Sequence, residues 1–157
     1  VGGPRAGKVD GPILPFKPGE PVVVTLEYGA KKLSNGTTPW RVGYHPGIDL
    51  VCADRTLVAV ARGDVLRSRY DADGWGQYVT ILLDDGISAT YAHLKERHVV
   101  VGDSLVQGDV VGLAGSTGNS SGVHCHFEVR TNGIDPYSNI DAAKYLRIPN
   151  LKGPIVR

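Results

Sequence analysis

Short runs rich in β-branched and apolar residues recur along the chain from residue 44 onward, each bounded by Gly, Asp, Asn or Ser turn signals. They cover Ile48 to Cys52, Thr56 to Ala61, Val65 to Arg69, Gln77 to Leu83, Ile87 to Tyr91, Val99 to Val101, Val110 to Ala114 and Val123 to Arg130. An earlier run, Val22 to Leu26, leads into a polar connection from Lys31 to Trp40 that reads as a loop beside a cleft. Strand signals about ten residues apart predict an all-β fold, an antiparallel β-sandwich or partly open barrel. Asp84-Asp85-Gly86 marks a hairpin, because Asp-Gly readily takes positive φ. Only Asp141 to Leu146 reads as a helix, with Asp141 as its cap and Pro149 beyond its end.

Breakers divide the ends from the middle. Residues 1–21 hold Pro4, Pro12, Pro15, Pro18 and Pro21 among several glycines, which predicts an extended arm or linker. Residues 22–150 then form a single domain and 151–157 a tail. The chain opens on Val1 with no apolar leader, which predicts a processed or trimmed product. Its 157 residues, 41% of them hydrophobic, suffice for one core. A formal charge of +1 gives no global field toward nucleic acid or an anionic membrane, and no apolar run approaches the ~20 residues of a membrane span. The two cysteines, Cys52 and Cys125, form no CxxC pair.

Chemistry concentrates in the histidines. His98, within Lys95-Glu96-Arg97-His98, reads as a solvated surface residue. His45 and Asp49 sit in Tyr44-His45-Pro46-Gly47-Ile48-Asp49, where Pro46 and Gly47 argue against a helix. In an extended segment residues 45, 47 and 49 share a face, Gly47 leaves space between imidazole and carboxylate, and Ile48 and Leu50 turn to the core. The same alternation puts His124, His126 and Glu128 on one face and Val123, Cys125, Phe127 and Val129 on the other. A hydrolytic zinc needs three N or O ligands and an open position for water. His45, Asp49 and one member of the His124/His126 pair meet that count, and the remaining histidine with His93 supplies proton-transfer groups.

These segments resemble the lysostaphin/LytM-type zinc metalloendopeptidases, peptidoglycan hydrolases with a duplicated hybrid motif fold, whose marks are HxxxD and a later HxH. The resemblance runs from about residue 43 to 137. It includes Gly43 to Leu50, Val60 to Val65, Trp75 to Val79, Tyr91-Ala92-His93-Leu94, Gly115-Ser116-Thr117-Gly118 and His124 to Arg130. It implies one zinc per chain on His45, Asp49 and His126, and catalytic roles for His93 and His124. His124 is then the base toward water and His93 the donor to the oxyanion, with the roles exchangeable. The implied substrate is a peptide stem or cross-bridge of bacterial peptidoglycan, cut outside the cytoplasm by a monomer or by one domain of a larger envelope protein, secreted lysin or phage lysin. A non-catalytic wall-binding or hydrolase-activator domain of the same fold is the alternative.

The chain departs from the family pattern at Val123 and Cys125, where Pro and Leu are usual; both positions face away from the metal. Pro46 removes a backbone donor, which places its segment at an edge or bulge. Cys52 and Cys125 fall on the face opposite the metal in strands that must lie close, so the pair is either a disulfide or two small buried hydrophobes.

Overall fold

A computed structural model describes residues 11–156 of the chain. Its strands are β1 (Val22–Leu26), β2 (Ile48–Cys52), β3 (Thr56–Val58), β4 (Gly63–Asp71), β5 (Gly76–Leu83), β6 (Ser88–Arg97), β7 (Ser104–Leu105), β8 (Val110–Ala114), β9 (Cys125–Arg130), β10 (Asn139–Ile140) and β11 (Gly153–Pro154). One short helix, α1 (Ala142–Leu146), follows β10. The strands form one open antiparallel sheet in the order β11-β1-β2-β9-β6-β5-β4-β7, with β10 beside β9 and β8 joining β3 to β6. The all-β, unclosed architecture is the one the strand spacing predicts. No described helix is long and apolar enough to cross a membrane.

Alternation in the central strands separates core from site. Ile48 and Leu50 of β2, Tyr91 of β6 and Phe127 and Val129 of β9 are fully buried. Tyr91 packs edge-on to Phe127 with ring centroids 5.3 Å apart. Its hydroxyl donates to the Val58 carbonyl and accepts from Val60 N–H, both at 2.9 Å, so the core takes in a phenol without stranding its polar end. The β5–β6 hairpin turns through Gly86 at φ 87°, as Asp84-Asp85-Gly86 predicts. Asp141 caps α1 by accepting from Lys144 N–H.

Several boundaries differ from expectation. β6 runs past Tyr91 to Arg97 because its far half pairs with β8. Val99 to Val101 is no strand: Asp103 accepts from Val100 N–H and Gly102 adopts φ 97°, so a tight turn leaves Val100 and Val101 exposed. The expected tail contributes β11, paired with β1, and the expected arm buries Phe16 against the core and bridges it to Leu57. The rest of the arm, residues 1–10, lies outside the described residues, as does Arg157. Pro46 sits in the loop ahead of β2, and β2 itself lies between β1 and β9 rather than at an edge. Cys52 and Cys125 are both free. The register sets Leu50 opposite Cys125 and Val22 opposite Cys52, so the cysteines are not a facing pair; burial pushes both thiols up.

Candidate metal centre

The β2–β9 register sets Asp49 directly across from His126, and β6 presents Ala92 on the other side of His126. His45 lies in the loop before β2, not in an extended strand, and backbone bonds hold it there. Its N–H donates to the Ala30 carbonyl and its own carbonyl accepts from Gly29 N–H, both at 2.8 Å. Gly47 does not leave an open space. A Cβ at that position would stand 2.6 Å from the Phe127 carbonyl and 2.8 Å from the His126 ring, so the absence of a side chain lets the loop close onto β9. Gly47→Ala is therefore expected to cost about 1–3 kcal/mol of stability through overpacking, read as a lowered thermal midpoint. An unchanged midpoint would show that the loop has room to move.

Three donor atoms converge. His45 Nε2, Asp49 Oδ1 and His126 Nδ1 form a triangle with edges of 3.1, 3.0 and 3.2 Å. A tetrahedral zinc with donors at about 2.0–2.2 Å spaces neighbouring donors about 3.4 Å apart, so this triangle fits such an ion after small adjustments. The far side of each ring fixes what the near side offers. His45 Nδ1 donates to the Glu27 carbonyl at 2.8 Å, which in the neutral ring leaves Nε2 as a lone pair. His126 Nε2 donates to Glu128 Oε1 at 2.9 Å, which likewise leaves Nδ1 as a lone pair. Two imidazole lone pairs and a carboxylate oxygen facing one another require a shared proton or a cation.

The proton affinities follow from that crowding. Burial works to raise the Asp49 carboxyl, but hydrogen bonds from His126 and His45 outweigh it and hold the group well below the usual carboxylate range. Burial works to lower His126, yet the hydrogen bonds to Asp49 and Glu128 carry it up to about 9.

His93 and His124 complete the cluster. His93 stands in β6 with φ 66°, a conformation uncommon for a side-chain-bearing residue, and its N–H donates to the Trp75 carbonyl at 2.7 Å. Pairing with β5 shifts register between Tyr91 and Leu94, where His93 lies, and this bulge re-aims the side chain. Its Nδ1 donates to the Thr117 carbonyl at 2.8 Å, and burial lowers its pKa to about 4. Thr117 in turn bonds Leu94 and Gln77, in a contact so close that a Cβ on Gly76 or Gly118 would strike backbone atoms. His124 Nδ1 donates to the Gly122 carbonyl at 2.9 Å, while Nε2 lies 3.6 Å from Asp49 Oδ2. The His93 and His124 ring centroids are 4.9 Å apart. His98 lies outside, half-exposed and bonded to Glu96.

The cluster opens into a cleft of about 790 Å³. One wall is the Lys31 to Trp40 connection, represented by Leu33, Thr37 and Trp40; Trp75, Asn119 and Ser120 line the cleft from other loops. The arrangement is of the kind that metal-assisted hydrolysis uses: three side chains that could hold a metal ion, beside two more imidazoles along a groove.

Residues 43–137, more than half of the 157, match the sequence profile of Peptidase family M23. The chain belongs to peptidase family M23. This M23 chain is 36% identical over 101 residues to the DD-carboxypeptidase/endopeptidase Mpg of Neisseria gonorrhoeae, covering 63% of this chain and 23% of that protein. It is 31% identical over 107 residues to the glycyl-glycine endopeptidase ALE-1 of Staphylococcus capitis, covering 67% of this chain and 30% of that protein. The M23 chain thus spans less than a third of these relatives. Among solved structures, the lysostaphin catalytic domain of Staphylococcus simulans superposes with a TM-score of 0.70 at 26% identity, over 79% of this chain and 91% of that one. The M23 fold gathers His45, Asp49, His93, His124 and His126, the residues singled out from the sequence. Sequence reasoning missed the groups that orient them: the Glu27 and Thr117 carbonyls and the Glu128 carboxylate. Only Glu128 left a signal, its place on the same period-two face as His126.

Proposed function

We propose that this M23 chain is a zinc-dependent endopeptidase that hydrolyses peptide bonds in the stems or cross-bridges of bacterial peptidoglycan, outside the cytoplasm. The observation that carries this reading is the donor triangle of His45, Asp49 and His126 at the floor of a cleft. Zinc held there would polarise the scissile carbonyl and bring the pKa of water down toward about 7. In both His93 and His124 the hydrogen sits on Nδ1, bonded to a carbonyl, so each neutral ring offers Nε2 as a proton acceptor. A ring that has taken a proton at Nε2 can return it from the same atom to an oxyanion or a leaving amine. His93, kept neutral by burial, begins as an acceptor, so the oxyanion-donor role falls to it only once it is protonated.

The relatives' names support the substrate class from two directions, a DD-carboxypeptidase/endopeptidase and a glycyl-glycine endopeptidase. The test is zinc content by elemental analysis together with release of new amino groups from two purified walls, one with direct stem cross-links and one with glycine bridges. One zinc per chain and chelator-sensitive release from either wall is the expected result. A metal-free chain that stays inert on both walls after zinc is added would overturn the reading in favour of a wall-binding domain.

A further inference from the structure

Glu128 has a fully enclosed side chain beside the metal centre, yet no step of the proposed hydrolysis uses it. Oε1 accepts from His126 Nε2 at 2.9 Å and Oε2 accepts from Arg130 Nε at 2.6 Å. Arg130 is itself held, with Nη1 donating to the Gly133 carbonyl at 3.2 Å and its guanidinium 5.0 Å from the Trp75 ring centre. The Trp75 carbonyl receives His93 N–H at 2.7 Å, so one run of contacts reaches from a metal ligand to a catalytic histidine.

We propose that Glu128, braced by Arg130 and Trp75, is a positioning residue that makes His126 present Nδ1 to the metal. An imidazole can ligate through either nitrogen, and its ring can turn about χ2. A carboxylate that accepts two donors and has no hydrogen of its own removes that freedom: Nε2 must carry the hydrogen, and Nδ1 must face Asp49 and His45. A neutral amide at position 128 enforces this only weakly, because its one acceptor oxygen cannot serve both His126 and Arg130. It has to set its NH₂ group against either Arg130 or His126; against His126 it would force the hydrogen onto Nδ1, the atom that must bind metal. The inference rests on the metalloenzyme reading above.

The test compares wild type with Glu128→Gln, each stripped of metal and checked for folding by circular dichroism. Zinc affinity is measured by competition with a chromogenic chelator, and the visible spectrum is recorded after loading with Co²⁺. Glu128→Gln is expected to bind zinc about 10–100-fold more weakly and to show a changed cobalt spectrum. Should that variant fail to fold, Glu128→Met/Arg130→Met removes both buried charges at similar volume and carries the same expectation, since it leaves Nε2–H without any acceptor at position 128. A folded variant of either kind with wild-type zinc affinity and cobalt spectrum would overturn the proposal, leaving Glu128 as a counter-charge for Arg130 that affects only the thermal midpoint. A wild type that binds no zinc would instead overturn the metalloenzyme reading itself, and this inference with it.

Discussion

Asp49→Ala is expected to abolish zinc binding and hydrolysis together. The Asp49 carboxylate meets three of the histidines: Oδ1 touches His45 Nε2 at 3.1 Å and His126 Nδ1 at 3.0 Å, and Oδ2 lies 3.6 Å from His124 Nε2. It is also the one anion of the donor triangle. Without it two neutral imidazoles face each other, and the affinity for a dication loses its main electrostatic term. Metal activation supplies several kcal/mol of transition-state stabilisation, and each ~1.4 kcal/mol is a factor of ten in rate, so turnover should fall by at least about a thousandfold. Elemental analysis and amino-group release on the same preparation check both halves. Full zinc occupancy in the variant would remove Asp49 from the ligand set.

His93→Ala should separate the two functions that Asp49→Ala removes at once. His93 is absent from the donor triangle, and its Nδ1 is engaged by the Thr117 carbonyl, so the variant should keep one zinc per chain. Loss of a positioned proton-transfer group should lower turnover by about 10²–10⁴-fold. A variant with wild-type turnover would show that His124 serves alone.

How far the site was legible in the sequence depended on whether local periodicity or tertiary pairing sets each residue. Period-two alternation sufficed for His126 and Glu128, because β9 is a regular strand with its apolar face in the core, and for His124, which bridges to Gly115 directly ahead of β9. His45 joined the right group through the wrong geometry: it is held by loop carbonyls from residues 27 and 30, which no spacing rule reveals. The position of His93 was unreadable for a related reason. Its bulge exists because β6 pairs with β5 and β9 along one half and β8 along the other, a distribution settled only once the sheet assembles. The two-residue strand Gly153–Pro154 carries no pattern at all and forms because β1 offers it an edge. Cys52 and Cys125 share a face, as alternation requires, but a facing pair depends on register, and the register is set by hydrophobic matching across β2 and β9.

The chain has two tryptophans, Trp40 and Trp75, and both stand on the walls of the cleft. Trp40 lies 5.3 Å from the His45 ring and Trp75 lies beneath the Arg130 guanidinium. Indole emission responds to charge and polarity within a few ångströms, so the tryptophan fluorescence of these 157 residues originates at the cleft. Metal loading and substrate entry can accordingly be followed optically in the unlabelled protein, and the two events can be told apart by replacing one indole at a time.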